Sequence, residues 1–147
     1  HARRYLNASG VAKERTYVTG SPMAEVLEAH IDQIVESDIL ERLGLERGKY
    51  ILLSAHREEN LDSDENFLSL FKAINKMAEK YDVPILYSCH PRSEKKIKEK
   101  KFKFHKNVIM HKPLGFIDYN NLQMNALCVV SDSGTLPEES SYYLAIG

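Results

Sequence analysis

The sequence predicts an α/β fold of three layers, a parallel sheet with helices on both faces, and three observations lead there. Short apolar runs recur along the chain: Tyr50-Ile51-Leu52-Leu53, Pro84 to Tyr87, Asn107 to Met110 and Ala126-Leu127-Cys128-Val129-Val130. Between them lie segments whose apolar residues repeat at helical spacing. Three of the runs end in polar clusters, namely Ser54-Ala55-His56-Arg57-Glu58-Glu59-Asn60, Ser88-Cys89-His90-Pro91-Arg92 and Ser131-Asp132-Ser133-Gly134-Thr135. Buried strands alternating with helices imply a parallel sheet. Polar clusters at the carboxyl ends of such strands are where open α/β sheets bind ligands, so three of them point to one shared crevice.

The elements follow in order. Residues 1–10 read as a short helix ending near Gly10, and Arg15-Thr16-Tyr17-Val18-Thr19 as a short strand closed by the turn signal Gly20-Ser21-Pro22. That turn is the best domain boundary in the chain. Met23, Val26, Leu27, His30, Ile31, Ile34 and Val35 then mark an amphipathic helix. Ser37-Asp38 restarts a short helix over Ile39 to Leu43, which Gly44 stops. After the strand Tyr50–Ser54, a helix over 64–80 buries Phe67, Leu70, Phe71, Ile74, Met77 and Ala78. Strand 84–88, a short basic helix over 92–101, strand 107–110, a helix near Tyr119–Asn125, strand 126–130 and a helix near Pro137–Ala145 complete the series.

At 147 residues, with 28% charged and 43% hydrophobic residues, the chain has the balance of a globular domain with a real core. A net charge of -1 excludes a strong field toward nucleic acid or an anionic membrane. The basic run Lys95 to Lys106 reads as a solvated helix end and loop. Cys89 and Cys128, both in expected buried strands, make neither a disulfide framework nor a zinc site, and a reduced, cytoplasmic compartment fits them. No apolar run approaches the roughly 18 residues of a membrane span. The chain starts in a helix-like segment without Met and ends on a helix-capping Gly147, so it reads as a piece of a longer protein.

Each cluster admits two readings. His56 can move protons near neutral pH beside Arg57, which can neutralise an anion; equally, His56 can be a histidine packed at a strand end. In His90-Pro91-Arg92, Pro91 suits a first helical turn and Arg92 stands where a phosphate can bind, or the segment is a plain surface turn. Asp132-Ser133-Gly134-Thr135 combines hydroxyls, a glycine open to close approach and the free amides of a following helix, the make-up of a phosphate cradle. A carboxylate one turn further in, at Glu138 or Glu139, can accept both hydroxyls of a ribose. The alternative is an ordinary helix cap. No GxGxxG, GxxxxGK[ST] or GxSxG occurs, so dinucleotide, P-loop and esterase readings lack support.

Taken together these motifs resemble the non-hydrolysing UDP-N-acetylglucosamine 2-epimerase family. The resemblance covers essentially the whole chain: the Arg3-Arg4-Tyr5-Leu6 helix, Val18-Thr19-Gly20-Ser21-Pro22, His56-Arg57-x-Glu59-Asn60, His90-Pro91, Pro113-Leu114-x-x-x-Asp118-Tyr119, and Asp132-Ser133-Gly134 with Glu138-Glu139. It implies one half of a GT-B type two-domain enzyme, each half Rossmann-like, with the UDP-sugar in the cleft between. Residues 1–22 then correspond to the end of the N-terminal domain and the linker. Residues 23–147 correspond to the C-terminal UDP-binding domain, truncated at its end. The resemblance makes His56 the active-site histidine. It sets Tyr119 beside the uracil, Ser133, Gly134 and Thr135 on the pyrophosphate, and Glu139 on the ribose. Arg57, His90 and Arg92, at the strand ends described above, are expected substrate contacts as well. The family's acidic catalytic residues correspond to positions before His1, and a further arginine to one after Gly147.

The implied reaction converts UDP-N-acetylglucosamine to UDP-N-acetylmannosamine through elimination and re-addition of UDP, without a metal or cofactor, in polysaccharide biosynthesis. A UDP-N-acetylhexosamine substrate and a homodimer of the whole protein are implied, with no nucleic-acid or membrane partner. Little turnover is expected of these residues alone. Two departures stand out: Glu58 where the family commonly has Arg, and Thr135 where a second Gly is common. Both resemble the branch that acts on a UDP-2-acetamido-2,6-dideoxy-L-hexose and leads to UDP-N-acetyl-L-fucosamine. A GT-B glycosyltransferase, or a module that only holds UDP, are the other readings.

Overall fold

A computed structural model describes residues 1–55 and 63–146, with side chains through Tyr143. Seven helices and four strands among them run α1 (Ala2–Ala8), α2 (Met23–Glu36), α3 (Ile39–Leu43), β1 (Ile51–Ser54), α4 (Asp64–Tyr81), β2 (Ile85–Ser88), α5 (Pro91–Glu99), β3 (Val108–His111), α6 (Phe116–Asn125), β4 (Cys128–Ser131) and α7 (Leu136–Ile146). The strands form one parallel sheet in the order β3-β2-β1-β4.

The two faces of the sheet read directly off alternate residues of the strands. Ile51, Leu53 and Ala55 of β1 and its extension, with Ile85, Tyr87 and Cys89 of β2, pack under α4 and α5 through Phe67, Phe71, Ile74, Ala78 and Ile97. Phe71 is the centre of this layer, with ring contacts to Phe67 at 4.5 Å, Phe104 at 5.2 Å and Phe102 at 5.7 Å. Truncating such a ring to alanine costs about 3–5 kcal/mol. On the other face Tyr50, Leu52 and Leu86 meet Ile39, Leu45 and Leu122, from α3, the loop after it and α6. The Tyr50 hydroxyl donates to the Leu122 carbonyl at 2.5 Å, which satisfies a buried polar group.

Local signals account for the element ends. Gly44 takes the left-handed conformation (φ 63°) that stops α3. Ser63 accepts from the Asn66 amide at the start of α4, and Pro91 occupies the first turn of α5. Lysines of the basic run pair with carboxylates, while its Ile97, Phe102 and Phe104 pack on the core. Lys95 and Lys98 pair with Glu99 and Glu94 on the same helix, while Lys96 and Lys100 reach across to Asp64 of α4.

Two expectations fail. Residues 15–19 form no strand: a 3-10 turn covers Lys13–Arg15, and Tyr17 and Val18 are 82% and 74% exposed. No described strand lies alongside to complete a ladder, and β-propensity without a partner leaves an irregular link. Nor is β4 a buried strand. It forms one edge of the described sheet, with Leu127 55% exposed and Cys128 exposed, whereas Cys89 is buried as expected. The valines at the flanks of α2, Val26 and Val35, are exposed, and its buried stripe narrows to Leu27 and Ile34.

Candidate functional site

The strand order creates a topological switch point. The chain leaves β1 over one face through α4 to reach β2. It later returns through α6 on the opposite face to place β4 on the other side of β1. Connections departing to opposite faces open a crevice between β1 and β4 at their carboxyl ends. Ser54 and Ser131 are register partners at this edge, and the Asp132 amide donates to the Ser54 carbonyl at 3.2 Å just beyond them.

The loop after β4 is built by hydroxyls. Ser131 Oγ accepts the Ser133 amide at 3.0 Å. Ser133 Oγ accepts the Thr135 amide at 3.3 Å and lies 2.9 Å from Thr135 Oγ1. The Thr135 carbonyl takes the amides of Glu138 and Glu139, both at 3.0 Å, and so begins α7. Ser133, Gly134 and Thr135 are exposed at this helix start. A Cβ at Gly134 would meet no atom of the described residues within 4 Å, so packing among them does not ask for glycine there.

Tyr119, in the first turn of α6, is held to the same place. Its ring packs on the second core layer. Burial raises its hydroxyl above the ordinary tyrosine range. The Glu139 and Asp132 carboxylates push in the same direction, while the Ser54 and Ser131 hydroxyls work against it. These five groups from β1, β4, the β4 loop, α6 and α7 therefore share one neighbourhood. Ser54 and Ser131 did not stand out as site residues in the sequence. Their signal is the cross-strand register, which needs the sheet order. The adjacent glutamates divide. The Glu139 charge acts on Tyr119, whereas Glu138 accepts from Ser21 Oγ at 2.5 Å and ties α7 to the Gly20-Ser21-Pro22 link.

His90 and Arg92 lie at the end of β2, on the far side of β1 from the β4 loop. His90 caps α5: its Nδ1 accepts the Arg92 amide at 3.3 Å, which leaves the ring proton of the neutral form on Nε2. The structure thus brings Tyr119, Ser133, Gly134, Thr135 and Glu139 to the β1–β4 crevice edge and sets His90 and Arg92 one strand over. His56 and Arg57, with Glu58, Glu59 and Asn60, lie outside the described residues. Among the described residues no three His, Cys, Asp or Glu side chains form a metal-binding group, and no helix is long and apolar enough to cross a membrane.

Comparison with known proteins agrees with this geometry. The solved UDP-N-acetylglucosamine 2-epimerase of Rickettsia bellii superposes with a TM-score of 0.76 at 38% identity, over 96% of this chain and 37% of that one. The Methanocaldococcus jannaschii enzyme, solved in complex with UDP-GlcNAc and UDP, superposes with a TM-score of 0.84 at 26% identity, over 97% of this chain and 41% of that one. In sequence, the UDP-N-acetylglucosamine 2-epimerase of M. jannaschii is 29% identical over 95% of the chain. The chain spans about two fifths of the length of the curated relatives it matches, 40% and 38% of two archaeal epimerases. The family model for UDP-N-acetylglucosamine 2-epimerase matches residues 1–145, and with the Rossmann-like sheet and its switch-point site this chain belongs to that family.

Proposed function

We propose that this chain is the nucleotide-holding part of a sugar-nucleotide epimerase that interconverts UDP-N-acetylglucosamine and UDP-N-acetylmannosamine, with UDP in the β1–β4 crevice. The observation that carries the reading is the exposed hydroxyl loop Ser133–Thr135 at the start of α7, beside Tyr119 and Glu139 at the switch point. The helix start supplies amides and a positive dipole end for a pyrophosphate. Glu139 is the ribose acceptor and Tyr119 the wall beside the base. Uracil and ribose are bonded neighbours, and so these two side chains need to be neighbours as well. The open space at Gly134 fits a phosphate approaching the backbone.

The chemistry follows from the charge that develops. Removing the C2 proton and breaking the C1–O bond to UDP yields a glycal. The reverse step re-forms the C1–O bond and returns a proton to the other face of C2. A C2 proton is weakly acidic, so departure of UDP has to be assisted. The Ser133–Thr135 donors and the α7 dipole stabilise the anion as it leaves. His56 and Arg57, which follow β1 in the sequence, are the groups for proton transfer and for leaving-group charge, with Arg92 and His90 supporting from the β2 side. Residues 1–22 are the end of the other half of a GT-B pair and its linker, and 23–147 belong to the UDP half. The whole enzyme works in the cytoplasm as a homodimer.

The test is incubation of the whole protein with UDP-N-acetylglucosamine alone in D2O. UDP-N-acetylmannosamine carrying deuterium at C2 is the expected product. An absolute requirement for an acceptor sugar would replace the epimerase with a GT-B transferase. Turnover restricted to the 6-deoxy-L-hexose nucleotide would move the substrate to the branch suggested by Glu58 and Thr135.

A further inference from the structure

We propose that Asp118 is a positioning residue for the nucleotide site, acting through Tyr119; the inference rests on the UDP reading of the β1–β4 crevice. Helix α6 starts at Gly115 with no side chain capping its first amides. Its later turns are pinned from several directions: Asn121 Nδ2 donates to the Ile34 carbonyl at 2.7 Å, and the Tyr143 hydroxyl donates to Asn120 Oδ1 at 2.5 Å. The first turn, which carries Tyr119, is held differently. Asp118 accepts from Ser37 Oγ at 2.7 Å and from Arg42 Nη2 at 2.8 Å, partners 81 and 76 residues away at the α2–α3 joint and on α3. Arg42 is itself oriented by Asp38 at 2.6 Å. An edge contact between His30 and Phe116, at 5.6 Å, adds an apolar tie on the same turn.

The clasp has the geometry of a positioning device. One carboxylate receives two directional donors from a separate part of the fold, with its side chain 26% exposed, and charge-assisted bonds of this length hold an orientation more tightly than apolar contact does. Tyr119 is the next residue on the helix. A small rotation of the first turn therefore moves its ring within the layer it shares with Leu52 of β1 and Val129 of β4, beneath the crevice. The helix macrodipole offers a merely structural role for the same aspartate, which sits near a helix N-terminus.

UDP titration by calorimetry on the whole protein, together with melting temperatures, separates the two. Asp118→Ala is expected to weaken UDP binding about tenfold, and Arg42→Gln or Ser37→Ala to move it the same way by less. In a Tyr119→Ala background, adding Asp118→Ala should change UDP affinity less than about twofold while still lowering the melting temperature as it does in wild type. Asp118→Asn keeps the shape and an acceptor for Ser37, so it serves as the folded control and should fall between. Asp118 variants that bind UDP like wild type, or an undiminished Asp118→Ala effect in the Tyr119→Ala background, overturn the proposal while leaving the epimerase reading intact. A wild-type protein that binds no UDP overturns both.

Discussion

Two strand-to-helix turns in this molecule, after β2 and after β4, start from similar chemistry and end in different places. Each has a serine at the strand end, a polar cluster and a proline in the first helical turn. After β2, His90 folds its own ring nitrogen back onto the Arg92 amide and closes the helix start locally. After β4, Ser133 and Thr135 bond to each other and to the loop backbone, and the exposed turn lies beside the switch point. The difference comes from the sheet order. Of the two, only the second turn lies at the edge of the crevice that the opposite crossovers open, and only there does the Glu139 charge act on Tyr119. A polar turn at a helix start is common; its place relative to the switch point gives it a ligand to hold.

The largest expected effect belongs to the residues that follow β1 in the sequence. In the whole protein, His56→Ala should lower epimerisation turnover roughly 100-fold or more while leaving UDP affinity within about twofold, as expected of a proton-transfer group. A variant that folds, binds UDP and turns over at the wild-type rate would remove His56 from the chemistry.

The comparison itself is sharpened by titrating UDP into paired variants. Ser133→Ala and Glu139→Ala should each weaken UDP by about 1.5–3 kcal/mol, the worth of a hydrogen bond to a charged group. Arg92→Ala, across β1, should cost less than either. An Arg92 loss that exceeds the Ser133 loss would make the β2 turn the main phosphate site and reverse the comparison.

A smaller effect distinguishes a cap from a contact. His90→Ala removes the acceptor that starts α5 and should lower unfolding stability by about 1 kcal/mol in urea. If UDP affinity falls by more than stability does, His90 touches the nucleotide directly.

The smallest effect is a pH dependence. Burial works to raise the Asp118 carboxyl, but the hydrogen bonds from Arg42 and Ser37 outweigh it and hold the group below its ordinary value of 3.8. Its contribution to stability is therefore complete above the ordinary aspartate range. It is lost as pH falls through the lower folded value. Melting curves taken downward from about pH 5 should steepen in wild type and flatten in Asp118→Asn. Identical acid limbs in the two proteins would show that the clasp carries no linkage.

Much of the fold was legible because its signals are local. The period of Phe67, Phe71, Ile74 and Ala78 sets a helix, Gly44 in its left-handed conformation ends one, and each apolar run is long enough for a single strand. The failures concern partners. Residues 15–19 have strand propensity and no ladder, and β4 has an apolar sequence and an open edge. Neither outcome is visible in a window of neighbours, because pairing is a long-range property.

The same division runs through the site. By itself the sequence determined which residue types stand at each strand end, the hydroxyl-rich turn of Ser133–Thr135 and the family to which the motifs belong, since backbone propensity, capping and motif spacing all act over a few residues. Only the tertiary structure decided that Ser54 faces Ser131, that Glu138 bonds to Ser21 of the link, that His90 caps its own helix, and that Asp118 grips the α2–α3 joint. Those outcomes depend on strand order and helix docking. Both are set by burying the two faces of one sheet at once, and that requires contacts between residues far apart in the chain.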